Sequence, residues 1–150
     1  MRGVVIQKAI VIAEDERRKI TSILNGQIGV RDIHILEMKK GQTTSVLGNH
    51  KHWYPEVCYV YKGSCHYWLK NDEGEEMEVD LNEGELMFRA PGVVHTCTCS
   101  EDCILIDGGA ESWIAEDWNH VRDEIADKDG WLYSPGALSL KENVVRGILK

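Results

Sequence analysis

Short strand-like runs, each closed by a turn residue, follow one another through most of this chain, and that rhythm leaves few folds open. The runs are residues 4–12, 20–24, 28–38, 57–61, 65–69, 77–81, 86–89, 93–99 and 103–106. Met77, Val79 and Leu81 alternate with Glu76, Glu78 and Asp80, the period of a strand with one buried face. Lys40-Gly41, Gly63, Asn71 to Gly74, Gly84, Pro91-Gly92 and Gly108-Gly109 punctuate the series. Asn25-Gly26 predicts a hairpin joining 20–24 to 28–38. Many successive strands without intervening helices imply an all-β sandwich or barrel. One helix is predicted over about residues 113–126, where Ile114, Trp118, Val121 and Ile125 recur at helical spacing behind a possible N-cap at Ser112.

A chain of 150 residues with no repeat, linker or low-complexity tract fits one domain over 1–150. Net charge is −8, crowded into 72–85 and 111–129, which argues against nucleic-acid binding. No run approaches the roughly 20 apolar residues of a membrane span. Gln7 and Lys8 interrupt the apolar N-terminus, so no signal peptide is expected. The five cysteines lack any Cys-x-x-Cys spacing, and free thiols in a reducing cytoplasm are the simpler expectation.

Chemistry concentrates between His50 and His95. Residues two apart on a strand point to one side, so His50 and His52 can aim both imidazoles at one centre. Glu56 shares their parity, with a bend expected at Pro55, and His95 follows the Pro91-Gly92 turn. Three imidazoles and a carboxylate suit a divalent transition metal: iron, manganese, nickel, cobalt or zinc. An open position on such an ion polarises a carbonyl, binds an enediolate or activates dioxygen.

These residues also carry a family resemblance. His50, His52, Glu56 and Gly63 have the order and spacing of the first sequence motif of the cupin superfamily. Gly84, Gly92 and His95 fit its second motif. Thr44 replaces the opening glycine, Pro91 is displaced by one position and Cys99 replaces the closing asparagine, yet all four ligand positions stay in register. The resemblance implies a double-stranded β-helix, or jelly-roll barrel, with its core over about 28–108. Residues 14–20, the His-x-His motif, the stretch 100–103 and the terminal helix look like the nucleotide-sugar branch: dTDP-4-keto-6-deoxyglucose 3,4-ketoisomerases and, more distantly, dTDP-4-dehydrorhamnose 3,5-epimerases. That branch implies metal-free proton transfer by His50 and His52, a phosphate contact at Arg17, and a tyrosine acid among Tyr54, Tyr59 and Tyr67.

Arg89 shares parity with Glu85 and Met87 and is a candidate contact for an anionic substrate. Trp53, Tyr54 and Trp68 are candidates to stack on a sugar or a base. Cys58, Cys97 and Cys99 read as small core filler, and His34, His66 and His120 receive no role. The leading expectation is a cytoplasmic, homodimeric isomerase or epimerase of a sugar-like carbonyl compound, its metal holding the substrate oxygens. An Fe(II) dioxygenase and a non-catalytic ligand-binding barrel are the alternatives. No nucleic-acid or membrane partner is expected.

Overall fold

The computed structural model describes residues 1–24, 26–40 and 47–110, with backbone only for 47–50. The helix expected over 113–126 lies outside the described residues. Eleven strands occur among the described residues, in chain order: β1 (Val4–Lys8), β2 (Ile10–Asp15), β3 (Arg18–Ser22), β4 (Asp32–Met38), β5 (Leu47–His50), β6 (Glu56–Lys62), β7 (Ser64–Lys70), β8 (Glu76–Asn82), β9 (Glu85–Arg89), β10 (Val94–Thr98) and β11 (Cys103–Gly109). All paired neighbours run antiparallel.

One sheet has five strands in the order β1-β9-β6-β11-β4, and a second has four, β5-β10-β7-β8. From β4 onward the chain changes sheet at every connection except the β7–β8 hairpin. That alternation produces the expected jelly roll, and the strand periodicity decides which side chains fill it. Cys58, Val60, Met87 and Leu105 from the first sheet pack against Cys65, Tyr67, Leu69, Leu81 and Cys97 from the second. All five cysteines are buried and free, which agrees with the reading of Cys58, Cys97 and Cys99 as small core residues. Gly63 has φ +81, and a Cβ there would lie 2.8 Å from the Asp102 carbonyl oxygen and 2.9 Å from Cys103 Cβ. Only glycine suits this tight junction.

Two local expectations fail. The run 4–12 divides at Ala9, whose N–H donates to the Gly84 carbonyl at 2.9 Å; β1 stays on the large sheet while β2 leaves to pair with β3. Gly26 does turn the chain, with φ +73, and Gln27 N–H donates to the Leu24 carbonyl at 2.9 Å, but the flanking strands do not pair. Ile23, Leu24, Ile28 and Val30 instead cover Val57, Tyr59 and Leu86 on the outer face of the large sheet. Burying those side chains outweighs the local hairpin preference.

Candidate active site

The inner face of the five-stranded sheet carries an unusual density of charge. One cross-strand row runs Asp32, Gly109, Glu56, Arg89 over β4, β11, β6 and β9; the next runs His34, Asp107, Cys58, Met87. β10 contributes His95 and β7 contributes Tyr67 from the facing sheet, both buried. His52 and Tyr54 lie on the connection between β5 and β6. Two backbone bonds anchor that connection: Gly92 N–H to the His52 carbonyl at 2.8 Å and Ala110 N–H to the Pro55 carbonyl at 3.1 Å.

Three of the four expected ligand residues have described side chains, and the structure brings them together. His52, Glu56 and His95 each offer a ligand atom within 4.8 Å of the others. His52 Nε2 is 3.2 Å from Glu56 Oε1, and the His52 ring stacks on His95 with centroids 5.6 Å apart and planes at 26°. Tyr54 also packs on the His52 ring, 5.0 Å between centroids. Residue 50 stands directly opposite His95 in the β5–β10 ladder, so the His50 backbone adjoins the same cluster.

Arg89 determines the electrostatics. It is 2% exposed, and Nη2 lies 3.2 Å from Glu56 Oε2 and 3.3 Å from Asp107 Oδ1. Burial alone would work against its charge, but Glu56 and Asp107 outweigh burial and hold the guanidinium above its ordinary pKa. Its Cζ also sits 5.8 Å from the Tyr67 ring centroid. His52 responds in the opposite sense. Burial first, then the charges of Arg89 and His34, bring its imidazole down to about 3. A neutral His52 with its proton on Nε2 donates to Glu56 and keeps the Nδ1 lone pair. His95 Nδ1 is 3.4 Å from the Val93 carbonyl, an arrangement that places its proton on Nδ1 and its lone pair on Nε2. Burial raises the carboxyl of Asp107, opposed by Arg89.

Other expected site residues stand elsewhere. Arg17 occupies the exposed β2–β3 turn and pairs with Asp15 at 3.2 Å. Trp68 has the opposite parity to Tyr67 and lies on the outer face of its sheet. Tyr59 belongs to the outer apolar cluster, while Tyr67 faces inward and its Oη meets Cys58 Sγ at 3.1 Å. Asp107 and Asp32 carry no expectation from the sequence and His34 is expected to have no role, yet all three stand on this wall. Parity carries the signal: Asp107 shares a face with Leu105 and Cys103, and His34 with Leu36 and Met38, so both point to the core side.

No protein-family model matches the chain, and no curated protein matches it. Solved structures do. The chain is similar to the sugar 3,4-ketoisomerase QdtA from Thermoanaerobacterium thermosaccharolyticum, solved in complex with TDP, at 19% identity and TM-score 0.63, covering 86% of this chain and 98% of that one. It is similar to the TDP-quinovose 3,4-ketoisomerase WlaRB from Campylobacter jejuni at 17% identity and TM-score 0.66, covering 77% and 90%. A dTDP-4-dehydrorhamnose 3,5-epimerase from Sulfolobus tokodaii matches at 18% identity and TM-score 0.62, covering 75% and 72%. These likenesses establish the fold: the chain has the jelly roll seen in these nucleotide-sugar enzymes.

Proposed function

We propose that this protein is an isomerase or epimerase that moves a proton on the carbon beside the carbonyl of a nucleotide-linked keto sugar. The observation that carries this reading is the placing of His52: a buried imidazole 3.2 Å from Glu56 and stacked on His95 inside the barrel. Such a group takes a proton from carbon through Nδ1 without first having to lose one to water. Burial excludes solvent that would quench the enediol intermediate. Glu56, held by Arg89, then stabilises the imidazolium that forms. His50 belongs to the proposed set through its backbone position opposite His95. The fold shared with the two ketoisomerases and the epimerase supports the substrate class.

The test is incubation of the full chain with TDP-4-keto-6-deoxyglucose, the compound bound in another QdtA structure. A new keto-sugar isomer or epimer in the NMR spectrum is the expected result. Tight binding with no product supports a non-catalytic barrel instead.

A second reading is a divalent transition metal on His50, His52, Glu56 and His95, favoured by the 4.8 Å convergence of the three described side chains. Those donors fit iron, manganese, nickel, cobalt or zinc, and a bound ion would supply Lewis-acid polarisation of the substrate carbonyl. The buried Arg89 charge already takes Glu56 Oε2, which disfavours a second cation beside it and makes the metal-free reading the stronger one. Elemental analysis of protein purified without chelator, and activity after chelation, separate the two. Oxygen consumption by an iron-loaded protein would mark the dioxygenase alternative.

We place the protein in the cytoplasm as a homodimer. Free buried thiols support the first proposal. Ile33 and Ile35, 63% and 70% exposed on edge strand β4, support the second. No helix among the described residues is long and apolar enough to cross a membrane. Sedimentation at micromolar concentration tests the dimer.

A further inference from the structure

Moving a carbonyl between adjacent carbons needs two proton-transfer groups, one for carbon and one for oxygen. His52 is 4% exposed and tied to Glu56, which suits the carbon step. A group that serves the oxygens must exchange protons with the two neighbouring oxygens in turn and stand where the barrel opens. On β4 the burial alternates, with Ile33 and Ile35 outward and Asp32, His34, Leu36 and Met38 inward. His34 is the cross-strand partner of Asp107, one row from Glu56 and Arg89. Its Nε2 lies 3.4 Å from Asp32 Oδ2, and the two side chains are 38% and 26% exposed. The pair therefore combines a titratable ring, a carboxylate to orient it and a route to solvent, on the wall that carries the rest of the site. His34 is also close enough for its charge to act on both His52 and Asp107. Between Asp32 and Glu56 the row holds Gly109, whose lack of a side chain keeps this part of the wall low.

We propose that His34, oriented by Asp32, is the proton donor and acceptor for the substrate oxygens; the inference rests on the isomerase reading above. In the first step His52 takes the proton from the carbon beside the carbonyl, and the C–H electron pair forms the C=C bond of an enediol. The carbonyl π electrons move to oxygen, which receives a proton from the His34 imidazolium. In the second step neutral His34 removes the proton of the neighbouring hydroxyl as a C=O bond forms there. The C=C electrons take the proton held on His52 at the former carbonyl carbon. One carbon is oxidised and its neighbour reduced by the same two electrons, so no external oxidant or reductant enters. Asp32 is a positioning residue: it accepts the Nε2–H bond and leaves Nδ1 to carry the transferred proton.

The experiment uses the full chain, TDP-4-keto-6-deoxyglucose as probe, and His34→Ala, Asp32→Asn and His52→Asn variants. His34→Ala is expected to lower kcat by about 10²-fold or more, with TDP affinity unchanged. Added imidazole should restore part of that loss, since the site is partly open, and should not restore His52→Asn. Asp32→Asn is expected to lower kcat less than His34→Ala does, at unchanged KM. Near-wild-type kcat in His34→Ala, or a loss that imidazole does not relieve while TDP affinity is intact, would overturn the assignment. A wild-type chain that leaves the probe unchanged would instead overturn the proposed function, and the assignment would fall with it.

Discussion

Arg89 Nη2 lies 3.2 Å from Glu56 Oε2, and the two residues stand directly opposite each other on β9 and β6. The same nitrogen is 3.3 Å from Asp107 Oδ1, so one buried cation balances two carboxylates. Nε and Nη1 are buried without a hydrogen-bond partner among the described residues, which adds to the cost of keeping the guanidinium inside. Its place is secured by what would follow its removal.

Arg89→Met should therefore destabilise the protein by about 3–5 kcal/mol, because it strands Glu56 and Asp107 in a low-dielectric wall. Urea denaturation at neutral pH measures this. A loss below about 1 kcal/mol would mean that the two carboxylates find solvent or protons cheaply.

Acid stability should depend on His52. Its folded pKa, about 3, lies below the ordinary 6.5, so between those values the unfolded chain binds a proton that the folded chain does not. Stability is fully present above pH 6.5 and falls with acidification through this window, by at most about 1.4 kcal/mol per pH unit. In chelator-treated protein, His52→Phe should show a shallower loss of stability between about pH 6 and pH 5 than wild type. Equal slopes would show that His52 is protonated in the folded protein.

Gly63→Ala should cost about 1–3 kcal/mol, combining left-handed strain at φ +81 with the approach to Asp102 and Cys103. Thermal denaturation is the check. An unchanged Tm would show that the β6–β7 turn relaxes away from the 102–103 segment.

Trp68→Ala should leave kcat/KM on the nucleotide-sugar probe close to that of wild type, since the indole lies on the face of β7 turned away from Tyr67. Steady-state kinetics decide it. A large rise in KM would place the substrate outside the barrel.

The barrel was legible because strand periodicity and turn residues are local signals, and the His52, Glu56 and His95 convergence was legible because their spacing fixes parity and bend together. What escaped depended on which strands pair. The sequence run 103–106 stops one residue short of Asp107, whose importance lies in facing Arg89 across β6. His34 gains meaning only when β4 is set beside β11. Asn25-Gly26 carries a strong local hairpin preference, yet packing of Ile28 and Val30 over Val57, Tyr59 and Leu86 sends the chain elsewhere. The sequence marks Trp68 as an aromatic on a strand, and only register says which face of β7 it occupies.

The fate of the proton beside the carbonyl tests the account most directly. Wild type and His52→Asn, both treated with chelator, are incubated with TDP-4-keto-6-deoxyglucose in D₂O and followed by ¹H NMR. The account predicts that wild type moves this proton from the carbon beside the carbonyl to the former carbonyl carbon, with its signal lost at the first and appearing at the second, and that the variant leaves it in place. Loss of the original signal at equal rates in both proteins, or in neither, would contradict it.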